Sequence, residues 1–583
     1  FLHLAFVNLH PHMRLATRKL LFFSLFILSP SFVFAEIATQ QTGSQVSQHE
    51  LQKRNENLRR NLEANKPIEI KSQVSSNQPA EQGAVKVFVS TIVVNGNTIL
   101  SPQEINKIIA PFENRKLTIA DMQQAANRLT EVYRKKGYIT TKVILSPQRL
   151  TVHTLELTVI EGETGKITVV GNKYYRKSAY LRRIELKDGQ PFNYYTLRDN
   201  LADINQYSDH YAKAVLVPGQ EPETTDVLIE VKDRLPVHLD LSYDNFASRY
   251  IGKNEYTATL RDNNLLGFDD TLALSYEGSN NYAYMLGAVS YLVPVTNRTQ
   301  IGLAASKNRV VLQKDLKAFN AQGKSKLYSA FINQTLVEGE NLKITANAGF
   351  DYKDVFNFEL NNEVSRDRLR IVKSGFNVYY NDVFAGRNIF ADEFFQGIPD
   401  IMAGSRAKDP QSSVVGAGGE FSKDVVDFLR LQQLPWETSL LFKSEAQFSS
   451  DVLPAIEEYQ LGGIANNRGF GPLEAVGDTG QSLSTELNVP LYFIPTSVKV
   501  PFSTVSLYDA TRFVAFYDWG HVNLRNPQAG EPKNRSLGSA GCGVRFDLPE
   551  NFSLRVEIGW PVQGVPTSDH RHAHLWLQVI KEF

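Results

Sequence analysis

Apolar positions along this chain change their spacing once, near residue 237. Upstream, helical and alternating patterns interleave; downstream, only alternation remains. Val85 to Val94 reads as a strand and Asn95-Gly96-Asn97 as a turn. Ser101-Pro102-Gln103-Glu104 predicts a capped helix start, with Pro at the first helical position. Thr118 to Lys136 predicts a longer helix, capped by Thr118 and closed by Gly137. Its apolar face is Ile119, Met122, Ala125, Ala126, Leu129 and Val132. Tyr138 to Leu145 and Thr154 to Glu161 complete a β-α-α-β-β module over residues 85–162.

A second module follows over residues 163–236. Lys166 to Val170 leads into Gly171-Asn172, which matches Gly96-Asn97 of the first copy. Thr196 to Gln206 predicts the helix, and Ala212 to Val217 and Thr225 to Val231 the closing strands. Two copies of about 75 residues constitute an internal repeat.

From Val237 to Phe583 the helical period is gone. Leu239/Leu241/Tyr243, Leu272/Leu274/Tyr276 and Leu554/Val556/Ile558/Trp560 alternate with polar or small partners. At roughly ten residues per tilted strand plus loops, residues 237–583 accommodate about sixteen strands. The last strand ends on Phe583, with Leu575, Leu577, Val579 and Lys581 on the same face, an ending expected of a strand that closes a barrel.

Composition supports a membrane barrel. Charged residues are 21% and aromatics 11%, with 34 Phe and 24 Tyr. Mean hydropathy is -0.26, too polar for a helical membrane protein and suited to a barrel with a polar lumen. Lys+Arg and Asp+Glu are 62 each, which excludes nucleic-acid binding driven by bulk charge.

The N-terminus reads as an export signal over residues 1–35. Arg14, Arg18 and Lys19 precede apolar Leu20 to Leu28, and Ser31 to Ala35 predicts cleavage after Ala35. Met13 stands just before the basic residues, so Phe1–His12 reads as an upstream translation artefact. Residues 36–84 follow as a helix and linker. Ser47 to Ala64 puts Leu51, Leu58 and Leu62 on one helical face, and Ser75 to Gly83 is the linker. So thin an apolar stripe needs a host surface or cavity.

Candidate chemistry is sparse. The single cysteine, Cys542, shares a strand face with Val544 and Phe546 and reads as a small apolar filler. His570, His572 and His574 are expected on one strand face as structural or solvated histidines, with no metal assigned. No enzyme motif is present, so no catalytic residue and no cofactor are expected.

One pair stands out. Gly462-Gly463-Ile464-Ala465-Asn466-Asn467-Arg468-Gly469-Phe470 is a glycine-rich run with one guanidinium. About fifty residues on, alternation puts Val514, Phe516, Asp518 and Gly520 on one strand face. The other face carries Phe513, Ala515, Tyr517 and Trp519. If that face meets lipid, Asp518 points into a lumen and needs a cation, for which Arg468 is the candidate.

This layout resembles the TpsB transporters of two-partner secretion, the ShlB/FhaC/HecB haemolysin secretion/activation type within the BamA-related superfamily. Glu131 to Tyr138, Pro147-Gln148 and Val159-Ile160-Glu161-Gly162 are similar to segments of the family's first POTRA domain. Val217-Pro218-Gly219 resembles the second domain, and Asn264 to Asp270 an early barrel hairpin. Arg468-Gly469-Phe470 fits the tip of an inward-folded loop; Phe516, Asp518 and Gly520 fit an F-x-D-x-G strand motif. Asn467 departs from the family's usual Val.

The resemblance implies a transmembrane β-barrel of about 16 antiparallel strands over residues 237–583. An N-terminal helix and two α+β POTRA domains, residues 85–162 and 163–236, precede it. It implies a lumen-loop latch of Arg468, Gly469 and Phe470 against a strand motif of Phe516, Asp518 and Gly520, with Phe583 as the barrel's C-terminal signature. The implied function is export of a large partner exoprotein, TpsA-like, across the outer membrane, with POTRA domains in the periplasm and the helix occupying the resting pore. The implied partners are that exoprotein, outer-membrane lipid and the barrel assembly machinery during biogenesis. A BamA/TamA-like assembly factor is the alternative; a porin has no need of two capture modules.

Overall fold

The computed structural model describes residues 70–72, 86–148, 153–205, 207, 209–339, 341–528, 531–548 and 552–583. The expected export signal, the Ser47 to Ala64 helix and the Ser75 to Gly83 linker lie outside the described residues.

The N-terminal unit starts with β1 (Ile70–Ser72), β2 (Val87–Val89) and β3 (Thr91–Asn95). Next come α1 (Pro102–Ile109), β4 (Arg115–Leu117), α2 (Ile119–Lys135), β5 (Lys142–Leu145) and β6 (Thr154–Ile160). Helix α1 opens on the expected capping box between Ser101 and Glu104, and α2 on a second between Thr118 and Asp121. Each satisfies amide donors that a helix start leaves open. Helix α2 buries Met122, Ala125, Ala126, Leu129 and Tyr133. Fully burying a large apolar side chain contributes about 1.5–3 kcal/mol. Ile119, expected on this face, is exposed because it starts the first turn, and Tyr133 is fully buried in the module's core.

The second module contains β7 (Glu163–Val170), α3 (Lys177–Leu181), α4 (Tyr194–Asn205), β8 (His210–Pro218) and β9 (Thr224–Asp233). Its pairing repeats the first. β3 is parallel and β5 antiparallel to β6; β7 is parallel and β8 antiparallel to β9. Gly96 and Gly171 occupy matching places at φ 80° and 91°. A Cβ there would come within 2.5 Å of Val159 O and 2.3 Å of Val231 O respectively. Beside them, Asn97 and Asn172 each donate to a carbonyl three residues on, both at 2.8 Å. A carboxylate at the end of the last strand holds each turn. Glu161 accepts from Thr98 N at 2.8 Å, and Asp233 from Lys173 N at 2.9 Å. Strand β1 adds in parallel to the edge of β8.

The barrel unit closes sixteen antiparallel strands in chain order. The first eight are β10 (Val237–Asp244), β11 (Glu255–Asp262), β12 (Thr271–Ser279), β13 (Tyr284–Pro294), β14 (Thr299–Val311), β15 (Gln322–Glu338), β16 (Leu342–Glu359) and β17 (Asn362–Asn381). Then come β18 (Gly386–Gly397), β19 (Phe421–Gln433) and β20 (Ser439–Ser449). Two short strands, β21 (Tyr459–Leu461) and β22 (Ala475–Gly477), pair with each other inside the loop that follows. The wall resumes with β23 (Thr479–Pro490), then α5 (Leu507–Ala510) and β24 (Thr511–Asn523), and finishes with β25 (Asn534–Leu548), β26 (Phe552–Gln563) and β27 (His574–Glu582).

β27 pairs with β10, so no wall strand keeps a free edge. Phe583 N donates to Leu239 O at 2.9 Å across that seam. The ring of Phe583 is exposed and Lys581 Nζ lies 5.4 Å from its centre. Leu239, Leu241, Leu274, Tyr276 and Trp560 are exposed on the outer face, as the alternation predicts. No helix among the described residues is long and apolar enough to cross a membrane; the strands do so.

The histidine expectation needs correction. β27 begins at His574, so His570 and His572 precede the strand and are exposed. His574 is buried, stacks on Trp576 and lies 3.5 Å from Asp569, the carboxylate that the sequence reading overlooked. Cys542 sits between Ala515 and Ile558 on neighbouring strands, on the outward face shared with exposed Val544.

Candidate functional site: the inward-folded loop

Residues 450–478 leave the wall after β20, at the barrel end opposite Val237 and Phe583, because an odd number of strands precedes them. The loop turns inward and packs against lumen-facing side chains. Tyr459, Leu461, Phe470 and Ala475 of the loop cluster with Val522 and Leu537 of the wall.

Arg468 is 2% exposed at the loop tip. Its Nε donates to Asp518 Oδ2 at 2.8 Å and its Nη2 to Asp518 Oδ1 at 2.6 Å, a bidentate fork. Its backbone amide donates to the same carboxylate at 3.0 Å. Arg468 Nη1 lies 3.2 Å from Glu557 and 3.4 Å from Glu486. Arg545 bridges Glu486 and Glu557, and Arg555 also binds Glu557. Ser484 Oγ donates to Asp518 at 2.7 Å. Above the guanidinium, Phe516 presents its ring 3.5 Å from Cζ. Burial by itself lowers the arginine's pKa, but Asp518, Glu486 and Glu557 more than offset it, so the value is raised and the cation persists.

Glycine at the tip has a steric reason. A Cβ on Gly469 would sit 2.5 Å from Ser539 Cβ and 2.7 Å from Trp560 C. A Cβ on Gly559 would sit 2.5 Å from Arg468 O. The loop therefore touches the wall backbone to backbone, and Trp576 Nε1 donates to Arg468 O at 2.8 Å. Gly520 leaves the space that the Leu461 side chain fills, since a Cβ there would lie 2.3 Å from Leu461 Cδ1.

All six expected loop and strand residues meet here: Arg468, Gly469 and Phe470 against Phe516, Asp518 and Gly520. Phe583 lies apart, at the seam end. Sequence reasoning missed Glu486, Ser484, Glu557, Arg545, Gly559 and Trp576. Their only signal is the lumen parity of four other strands, and nothing in a linear pattern says which strands the loop reaches. It also missed Glu474, a loop carboxylate held by Arg535, Thr567 and Ser568. Burial raises the pKa of Glu474, and these contacts bring it below the usual value.

Asn467 is fully buried, and its side-chain amide makes no hydrogen bond to the protein. Among the described residues no group of three His, Cys, Asp or Glu side chains could hold a metal ion. The site is a tether between a loop and a wall.

Repeated α+β modules, a closed sixteen-strand barrel and a loop tied inside it define an outer-membrane transporter of the POTRA-plus-barrel class. The family described as haemolysin secretion/activation protein ShlB/FhaC/HecB matches residues 223–546, and the POTRA domain, ShlB-type, matches residues 87–162. This chain belongs to the ShlB/FhaC/HecB family.

Among curated relatives, the heme/hemopexin transporter protein HuxB of Haemophilus influenzae is 22% identical over 84% of this chain and 86% of its own length. The outer membrane transporter CdiB of Escherichia coli is 23% identical over 77% of each chain. The solved structure of CdiB from Escherichia coli superposes with a TM-score of 0.74 at 22% identity, over 96% of this chain and 100% of that one, and shows the shared fold.

Proposed function

We propose that this chain captures a large partner exoprotein in the periplasm and exports it through its barrel to the cell surface. The observation that carries this reading is a lumen crossed by a tethered loop in a chain of the secretion/activation family. A simple sieve has no need of two capture modules.

In this reading, residues 85–162 and 163–236 are two capture domains and residues 237–583 the conduit. The first module's sheet ends on β3 and β5, and an extended segment of cargo adds to such an edge through backbone hydrogen bonds. The captured chain reaches the barrel, the Arg468 loop gives way, and cargo folding outside makes return unfavourable. No reaction is catalysed. An assembly factor that inserts other barrels has weaker support, because the family matched is the secretion family. Relatives named as heme/hemopexin and hemolysin transporters support an exoprotein of that kind as cargo.

The experiment is deletion of the gene with fractionation of the culture. One large exported protein is expected to disappear from the medium while other outer-membrane barrels assemble normally. Unchanged secretion with defective barrel assembly would favour the assembly reading.

A further inference from the structure

Eleven residues before Arg468, a second loop side chain is gripped by the wall. Glu457 Oε1 lies 2.7 Å from Lys353 Nζ of β16, and Glu457 Oε2 lies 2.7 Å from Lys423 Nζ of β19. Each oxygen takes one ammonium, and all three side chains are at most 9% exposed. The backbone is held as well. Glu457 O accepts from Lys423 Nζ at 3.0 Å and from Gln447 Nε2 of β20 at 2.9 Å. Around the clamp, Leu453 and Ile456 of the loop pack with Leu369, Phe395, Phe421 and Val425 of the wall.

The two grips share no wall residue. Glu457 is held from β16, β19 and β20; Arg468 is held from β23, β24, β26 and β27. In the closed ring the Glu457 grip spans β16 to β20 and the Arg468 grip β23 to β27, two successive arcs of the wall, of which β16 and β26 face each other across the lumen. The charges are reversed as well. The loop offers an anion to lysines on one wall and a cation to carboxylates on the other.

We propose that Glu457 is a second, independent anchor of the lumen loop, held by a separate arc of the wall from Arg468, so that the pore opens fully only when both release. Displacing the loop then polarises the lumen. The β16/β19 arc keeps two ammonium groups without the loop carboxylate, and the β23–β26 arc keeps Asp518, Glu486 and Glu557 without the loop guanidinium. The physiological meaning rests on the transport reading, but the measurement below reads the loop itself.

Full-length wild type, E457Q, R468A and E457Q/R468A are compared as single channels in planar bilayers, with heat-modifiable migration as the check of barrel folding. E457Q is expected to raise open-state occupancy about tenfold, equivalent to roughly 1.4 kcal/mol. The double variant is expected to show the product of the single effects, because sites without shared partners add in free energy. E457Q also removes one negative charge from the loop and leaves both wall ammonium groups in the lumen, so its reversal potential shifts toward anions. K353M/K423M/E457M removes the whole triad and leaves none of its charges buried, and it is expected to open like E457Q without the anion shift.

Wild-type occupancy in both E457Q and the triple variant, with R468A opening, overturns the second anchor and leaves the export function standing. A double variant no more open than R468A overturns its independence. Loss of the transport reading would appear separately, as exoprotein release unaffected by gene deletion.

Discussion

Arg468 and Asp518 are joined by a two-point fork, Nε to Oδ2 at 2.8 Å and Nη2 to Oδ1 at 2.6 Å, between residues fifty positions apart. Asp518 holds this tether and accepts from Ser484 and Ser539, whereas Arg468 also faces Glu486 and Glu557.

That asymmetry orders two substitutions. Breaking a buried pair by removing one member costs about 3–5 kcal/mol. R468A removes the cation that Asp518, Glu486 and Glu557 share, while D518A leaves Arg468 with two carboxylates. R468A is therefore expected to impair secretion and loosen the loop more than D518A, and the double variant to be no worse than R468A. Secretion yield and channel conductance check this; additive losses would show that the pair does not act as a unit.

Asn467 offers a gain instead. A buried amide without a hydrogen bond costs about 1–3 kcal/mol. Asn467→Val removes that amide with little change in volume. It is expected to stabilise the resting loop, lower open-channel frequency and slow export. More frequent opening in N467V would mean that the amide has a partner that matters.

Close backbone contact makes Gly559 sensitive. An added methyl would meet Arg468 O at 2.5 Å and Gly469 N at 2.9 Å, both backbone atoms. Overpacking of this kind costs about 1–3 kcal/mol. Gly559→Ala is expected to push the loop from its seat while the barrel remains closed. Protease sites within 450–478 should become accessible from the loop's end of the barrel, and protection equal to wild type would count against this.

Acid should loosen the Glu457 seat. Burial raises the pKa of Glu457, but the charges of Lys353 and Lys423 lower it further, from 4.5 to about 2. A folded-state value below the free value means that the clamp contributes fully above about pH 4.5 and is lost as pH falls toward 2. The ratio of E457Q to wild-type open occupancy is expected to fall toward one over that window. A constant ratio would place the effect elsewhere.

In the first module, Glu161 accepts from Thr98 N and from Tyr133 Oη, which ties the last strand to the first turn. Glu161→Ala is expected to cost about 0.5–1.5 kcal/mol, the net range for an ordinary hydrogen bond, because the Thr98 contact is exposed and Tyr133 keeps its bond to Asn97. Limited proteolysis of the full chain should cut first within residues 86–148, and an unchanged pattern would contradict the role.

Much of this protein could be read along the chain because short-range periods carry it. Helix α2 with its Thr118 cap, the Ser101–Glu104 capping box, the Gly96/Gly171 repeat and the alternation that turns Asp518 inward are consequences of spacing within a few residues. Asp518 had to face the lumen once its neighbours Tyr517 and Trp519 faced out. Its partner could be guessed because a single guanidinium stood in a glycine-rich run. The rest depends on ring closure. Glu557, Glu486 and Trp576 meet Arg468 only when strands from distant parts of the chain curve around one loop. Lys353 and Lys423 are more than thirty residues from Glu457, in sequence that gives no sign of the encounter. A period of two tells each residue which face it occupies. It does not tell which strand stands opposite, because that follows from strand number, tilt and the path of a loop that no local pattern encodes.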